Sequence, residues 1–208
     1  MARTGLAGRA RVRALYDSLL FTSTETAAAG FRLFPKTRTL FSVRLWGPLH
    51  TLWADHFTRG LSARGLSILN GFARQDATGA WGAEFLITPT PGADDPRGLD
   101  FLALTEQAPP EDRAPLVIDR FAVDGSPDRG GSLFLEVRGP DRVGFLGSLL
   151  RALAGLDLVP REMTVVTRVG EACDRFLLTT PGGRLPSDDQ RRALEATLEV
   201  LRRERLLA

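Results

Sequence analysis

Several residue types that build common functional sites are scarce in this chain of 208 residues. Cys173 is the only cysteine, so no intramolecular disulfide can form, and a chain with two histidines offers no zinc-ligand cluster. Lys36 is the only lysine, and the other basic residues are arginines interspersed with acids, which leaves a net charge of +2. This balance does not favour a nucleic-acid surface. The lack of paired cysteines is typical of a reducing compartment, so a cytoplasmic location is expected.

Long apolar runs and catalytic motifs are also missing. No run approaches the ~20 apolar residues of a membrane helix, and no signal peptide is visible, so no membrane contact is expected. The sequence has no G-x-G-x-x-G, Walker, G-x-S-x-G or H-E-x-x-H motif. We therefore expect no enzymatic activity and no cofactor. His50 and His56 are six residues apart, which predicts different helix faces and no shared metal site.

What remains is a composition suited to a globular protein. Hydrophobic residues make up 43% of the chain, enough for one large core or two small ones. A segment rich in proline and acids at residues 107–115 can carry neither a helix nor a central strand, and it is predicted to be a linker. It separates a first part at 29–106, preceded by a helical segment at 1–28, from a second part at 116–208.

The two parts begin in the same way. Residues 39–46 and 132–138 alternate between apolar and polar as strands do, and they run into Gly-Pro pairs at Gly47 and Gly139. A helix with an apolar stripe is predicted after each pair. The stripe of the first helix consists of Leu49, Leu52, Trp53, His56, Phe57, Gly60 and Leu61. That of the second consists of Phe145, Leu146, Leu149, Leu150 and Leu153.

The two parts also continue alike. Gly65 and Gly155 are suited to end the two helices as C-caps, and two strands follow in each part, with turns at Gly79 and Gly170. A second helix closes each part, at residues 99–105 and from Ser187 onward. The latter begins with an S-x-x-Q capping box formed by Ser187 and Gln190.

This order lacks one strand of a ferredoxin-like unit, and a strand-like segment precedes each part. Residues 29–34 and 116–123 can enter as hairpins beside the strands that follow them. We therefore predict an α+β fold of two ferredoxin-like repeats, each an antiparallel sheet with two helices on one face, permuted as ββαββα. Because bare sheet edges tend to be covered, the repeats are expected to pack side by side, or the chain to dimerise.

The second repeat resembles a known family. Residues 133–146 and 165–176 are similar to the ACT domains at the C-terminal end of bacterial uridylyl-transferring nitrogen-sensing enzymes, and to the glycine cleavage system regulator family. The resemblance implies a tandem ACT protein that binds an amino acid in the loop between strand and helix, at an interface between two ACT units. It carries this role onto Asp141, Arg142, Val143, Gly144, Phe145 and Leu146. The matching loop of the first repeat, residues 47–52, lacks these residue types, so at most one site of this kind is expected.

The residue types of this loop suit a ligand with two charges. Gly144 lets the backbone approach a ligand, and the start of the following helix favours a carboxylate. Arg142 can bind a carboxylate and Asp141 an ammonium group. Alternatively, Gly144 only permits a tight turn and Asp141 only caps the helix. The predicted function is thus a regulatory module that binds an amino acid and signals to a protein partner, or else a ligand-free scaffolding or dimerisation protein.

Overall fold

A computed structural model describes residues 28–107, 116–125 and 132–206, with side chains up to residue 202. The predicted N-terminal helical segment, apart from residue 28, and the predicted linker, apart from residue 107, lie outside the described residues. The described part contains one antiparallel sheet of eight strands, in the order β1-β2-β4-β3-β7-β8-β6-β5.

The elements follow each other in the predicted ββαββα order in both repeats. The strands are β1 (Gly30–Pro35), β2 (Phe41–Gly47), β3 (Leu66–Gln75), β4 (Trp81–Pro89), β5 (Arg120–Asp124), β6 (Leu133–Pro140), β7 (Val159–Arg168) and β8 (Glu171–Thr179). The α-helices are α1 (Trp53–Ser62), α2 (Ala103–Glu106), α3 (Phe145–Ala154) and α4 (Asp188–Leu206). The α+β fold class and the permuted arrangement are confirmed.

Both entering strands form the predicted hairpins. In the first, Phe31 of β1 lies opposite Leu45 of β2. In the second, Phe121 of β5 lies opposite Val137 of β6, although β5 begins only at Arg120. The strand that usually ends a ferredoxin-like unit is therefore replaced by one that precedes it, as the sequence predicts.

The two repeats are joined in the middle of the sheet, where β3 pairs with β7. Gly71 lies opposite Val165, and Ala73 lies opposite Met163, so equivalent positions of the two repeats meet around an approximate twofold axis. On the helix side, α1 packs against α3. The repeats thus lie side by side within one chain, as expected, and they share one hydrophobic core.

Alternation along the strands explains this core. In β6, every second residue, starting with Leu133, is buried beneath the helices, while the residues between them are partly exposed. In the first repeat, Trp53 and Phe57 of α1 are fully buried against β4. Trp53 and Trp81 are thus part of the core, whereas Trp46 is only half-buried.

Helix ends were predicted with mixed success. The Ser187–Gln190 capping box is confirmed, because the Ser187 N–H donates to Gln190 Oε1 at 3.0 Å and the Gln190 N–H donates to Ser187 Oγ at 3.2 Å. The C-cap of α1 is Ala63, so the prediction for Gly65 is wrong, although Gly65 follows two residues later with a left-handed φ of 69°. Gly155 is the C-cap of α3 as predicted, but it is right-handed with a φ of −64°, and Asp157 takes the left-handed conformation at a φ of 54°. An aspartate tolerates that conformation better than most residues.

Three other expectations for the first repeat are wrong. Leu52 precedes α1 and is 40% exposed, so it does not extend the buried stripe. His50 also precedes the helix, which brings its ring within 4.8 Å of the His56 ring instead of onto a different face. The closing helix α2 has only four residues, because Leu99, where it was predicted to begin, has an extended backbone with a φ of −93° and a ψ of 138°.

Candidate functional site

The loop between β6 and α3 leaves backbone amides at the N-terminus of α3 available to a ligand. Gly144 is the N-cap of α3 and has a φ of 91°, which favours glycine. The Phe145 amide donates to the Arg142 carbonyl at 3.1 Å, and the Ser148 amide donates to the Gly144 carbonyl at 2.9 Å. Of the first four helix amides, those of Leu146 and Gly147 donate to no described residue, so they are available to an outside acceptor.

Asp141 does not cap this helix. Its own amide donates to the Gly170 carbonyl at 2.8 Å, which ties the loop to the β7–β8 turn, and no side chain caps the N-terminus of α3. The interpretation of Asp141 as only a helix cap is therefore wrong, and its carboxylate is left for another role.

All six residues predicted from the resemblance line a single cleft between the two repeats. The first repeat supplies Thr58 and Ser62 from α1 and residues 66–68 from the start of β3. The cleft is narrow, with a cavity volume of about 30 Å³. A single water needs roughly 10–15 Å³ of such a cavity, so the cleft has room for about two waters, and a larger ligand requires its walls to move apart.

Asp174 forms part of the cleft wall and was not predicted as a site residue. It sits on β8 between the buried residues Ala172 and Phe176, and it is only 1% exposed. Neither of its carboxyl oxygens accepts a hydrogen bond of standard geometry from a described residue. Burial raises the pKa of Asp174 to about 7; the nearby Val166 amide lowers the pKa in part, and the charge of Asp141 raises it further.

Arg142 brings the opposite charge to the same cleft. Its side chain is half-buried, and the buried Nε atom has no hydrogen-bond partner among the described residues. The cleft therefore combines a guanidinium group, two carboxyl groups and two open helix amides. Buried polar groups are normally satisfied by partners, so this concentration of unsatisfied groups is typical of a place that receives a ligand.

The corresponding place in the first repeat is filled. Ala83 lies opposite Leu45 in the same way that Asp174 lies opposite Val137, and Trp81 takes the position of Ala172. The Trp81 ring packs edge-on against the Trp53 ring, with centroids 5.2 Å apart. An indole thus occupies the space that an alanine leaves open in the second repeat.

The residues of the matching loop in the first repeat make contacts within that repeat. Leu49, at the position of Asp141, is buried. His50, at the position of Arg142, contacts the Thr105 carbonyl through Nε2 and accepts a hydrogen bond from the Leu52 amide at Nδ1, at 3.1 Å. The asymmetry between the two loops matches the expectation of at most one site.

The sequence did contain a signal for Asp174. On β8 the residues that face the helices are Ala172, Asp174, Phe176 and Leu178, so a charged residue interrupts an apolar face. Recognising this requires the register of the strand, because a shift by one residue would place Asp174 on the outer face.

Two further classes of site are not found. No group of three or more histidine, cysteine, aspartate or glutamate side chains suited to a metal occurs within residues 28–107, 116–125 and 132–206. Within the same described ranges, none of the helices has the length and apolar character needed to cross a membrane.

Comparisons with known proteins do not assign the chain to a family. No protein-family model matches the chain, and no curated protein sequence matches it. Among solved structures, it is similar to aspartate kinase from Synechocystis at 16% sequence identity and a TM-score of 0.38, over 70% of this chain and 25% of that one. The chain therefore spans about a quarter of the length of that kinase.

Proposed function

We propose that the cleft between the repeats binds a small amino acid and that the chain is a non-catalytic regulatory module. The observation that carries this proposal is the convergence of all six loop residues, Asp141 to Leu146, on one cleft whose opposite wall comes from the other repeat. The resemblance of the second repeat to ACT domains supports the same function.

The chemistry of the cleft suits both ends of an amino acid. A carboxylate would bind the Leu146 and Gly147 amides and the Arg142 guanidinium, where the helix dipole adds to the attraction. An ammonium group would bind on the side of the cleft that carries the two carboxyl groups, those of Asp141 and Asp174. Because the cleft is narrow, α1 and the Asp141–Leu146 loop would have to separate to admit an amino acid, which favours one with a short side chain.

Regulation would follow from the position of the cleft across the two repeats. A ligand that contacts both α1 and the Asp141–Leu146 loop favours the arrangement in which these elements are close. A protein partner or a second copy of the chain that recognises this arrangement would then sense the ligand. A cytoplasmic location stays a prediction.

A ligand-free scaffold is the second candidate, and the filled site of the first repeat favours it. There, Trp81 shows that this backbone remains folded without space for a ligand. The two candidates differ in their response to amino acids. A ligand that binds only the folded state raises the melting temperature, whereas a scaffold gives a flat response to all twenty amino acids.

The decisive variant is Gly144→Val, tested by thermal shift and calorimetry with the amino acid that gives the largest stabilisation. We expect the ligand-induced shift to disappear, because valine cannot hold the φ of 91° that shapes the loop. Gly79→Val is a matched control, since Gly79 has a φ of 90° in a turn far from the cleft along the sheet. Unchanged affinity in the Gly144 variant would show that the loop is only a turn.

A further inference from the structure

We propose that Asp174 is the cation-binding residue of this cleft, and that a ligand ammonium group binds it in exchange for the proton that the carboxyl group otherwise carries. This inference rests on the proposed function only in placing a ligand between the repeats. It adds a specificity-determining residue and a link between ligand binding and pH.

The first argument is the isolation of the carboxyl group. Asp174 is 1% exposed, neither of its oxygens accepts a hydrogen bond of standard geometry from a described residue, and the nearby Val166 amide offsets only part of the effect of burial. An ionised carboxylate in such a place is costly unless a cation or several donors meet it. The protonated form is therefore favoured until a cation arrives.

The second argument is the set of groups around it. Asp141 and Arg142 are the other charged residues that line the cleft, and both belong to the β6–α3 loop. The walls from α1, β3 and β7 contribute only uncharged residues: Thr58, Ser62, Leu66, Ser67, Ile68, Val165 and Thr167. Asp141 adds a second negative charge, and its effect on Asp174 is to raise the pKa. A cation placed near both carboxyl groups relieves this repulsion.

Arg142 does not already satisfy Asp174, because no hydrogen bond joins the two side chains, and Arg142 Nε itself has no hydrogen-bond partner in the described part of the chain. The exchange is balanced: the carboxyl O–H bond breaks, the proton leaves to solvent, and the carboxylate accepts hydrogen bonds from the incoming N–H groups. Binding therefore releases one proton when it starts from the protonated carboxyl, and none when Asp174 is already ionised.

Methylammonium chloride is a suitable probe, because it carries a cation without a carboxylate. Backbone amide shifts of the full chain can be followed by NMR as methylammonium is added, with sodium acetate as the anionic counterpart and sodium chloride as the ionic-strength control. Since the Asp174 pKa is about 7, roughly a tenth of the carboxyl is ionised at pH 6 and nine tenths at pH 8. We expect the apparent affinity for methylammonium to rise about tenfold over this interval.

Asp174→Asn removes the charge with little change of shape, and Asp141→Asn is its matched control in the same cleft. The first variant should lose at least about tenfold in affinity at pH 8 and lose the pH step. The second should keep the step. Equal binding in Asp174→Asn and the unmodified protein, equal binding at pH 6 and pH 8, or no binding of methylammonium would each overturn the inference.

A measurement without any substitution guards against a variant that fails to fold. Carbon-13 NMR follows the carboxyl of each aspartate, and one carboxyl titrating near neutral pH should titrate lower when methylammonium is present. An unmoved titration would contradict the exchange.

If none of the twenty amino acids binds but methylammonium does so with the pH step, the inference stands and the amino-acid proposal fails. If an amino acid binds equally well to Asp174→Asn, the amino-acid proposal stands and the inference fails.

Discussion

Asp174 occupies a position that sheet packing normally reserves for apolar side chains. Its pKa is raised to about 7 by burial, so the folded protein holds this proton more tightly than an unfolded chain, in which the pKa is 3.8. The proton is bound in both states below pH 4 and in neither state well above pH 7. Between these values the folded state loses stability as the pH rises.

We predict that this loss amounts to about 4 kcal/mol at most, the equivalent of roughly three pKa units, and that Asp174→Asn removes it. Urea unfolding at a series of pH values between 4 and 8 measures the free energy of unfolding for both proteins. The free energy of unfolding of Asp174→Asn, relative to that of the unmodified protein, should increase as the pH rises. Two parallel curves would mean that Asp174 is solvated and titrates normally.

Leu49 and Leu52 are three residues apart and were both predicted to pack. Because Leu49 is 7% exposed and Leu52 is 40% exposed, their truncation should have unequal effects. We expect Leu49→Ala to lower the free energy of unfolding by about 2 to 5 kcal/mol, and Leu52→Ala to lower it by less than about 1 kcal/mol. Chemical denaturation of both variants checks this, and similar losses would show that Leu52 is buried after all.

Among the elements, the β7–β8 hairpin carries a conflict between sequence and backbone. Its two-residue turn consists of Val169 and Gly170, with φ values of 49° and 77°. A two-residue turn with positive φ at both positions is of type I′, which favours Asn-Gly and disfavours a β-branched residue. Val169 is also fully exposed, so packing does not compensate for the strain.

Val169→Asn should therefore stabilise the protein by about 1 kcal/mol, because asparagine tolerates the left-handed conformation. Val169→Thr is the matched comparison, since it makes the side chain polar but keeps the branch at Cβ. Thermal and urea unfolding should show a gain for asparagine and little change for threonine. Equal gains would assign the effect to exposed apolar surface instead of backbone strain.

At the scale of the whole molecule, the pairing of β3 with β7 and the shared core make the two repeats one structural unit. All three tryptophans, Trp46, Trp53 and Trp81, belong to the first repeat. Tryptophan fluorescence thus reports on the first repeat alone, whereas far-ultraviolet circular dichroism reports on both. We predict coincident urea transitions by the two methods. Separate midpoints would show that the repeats unfold independently.

The parts of this architecture that could be predicted are those encoded locally. Alternation in residues 132–138 indicated β6, and Ser187 with Gln190 indicated the start of α4. The β3–β7 pairing joins residues 88 to 96 positions apart, and no local pattern specifies it. Asp174 was missed for a related reason, because its meaning depends on strand register. His50 and Leu52 were misplaced because α1 begins later than its apolar stripe suggests.

Trp81 also makes the two repeats differ in the substitutions that they can tolerate. If both repeats descend from one duplicated unit, the first repeat has replaced the proposed ligand cleft with core packing. The residues of its loop then need only to have a size that fits the core. The second repeat retains a buried carboxyl group that lowers the stability of the fold as the pH approaches neutrality, a cost that binding at the proposed site would offset. Among related sequences we therefore expect many residue types near Leu49 and few near Gly144, although both positions belong to a fold with one continuous sheet.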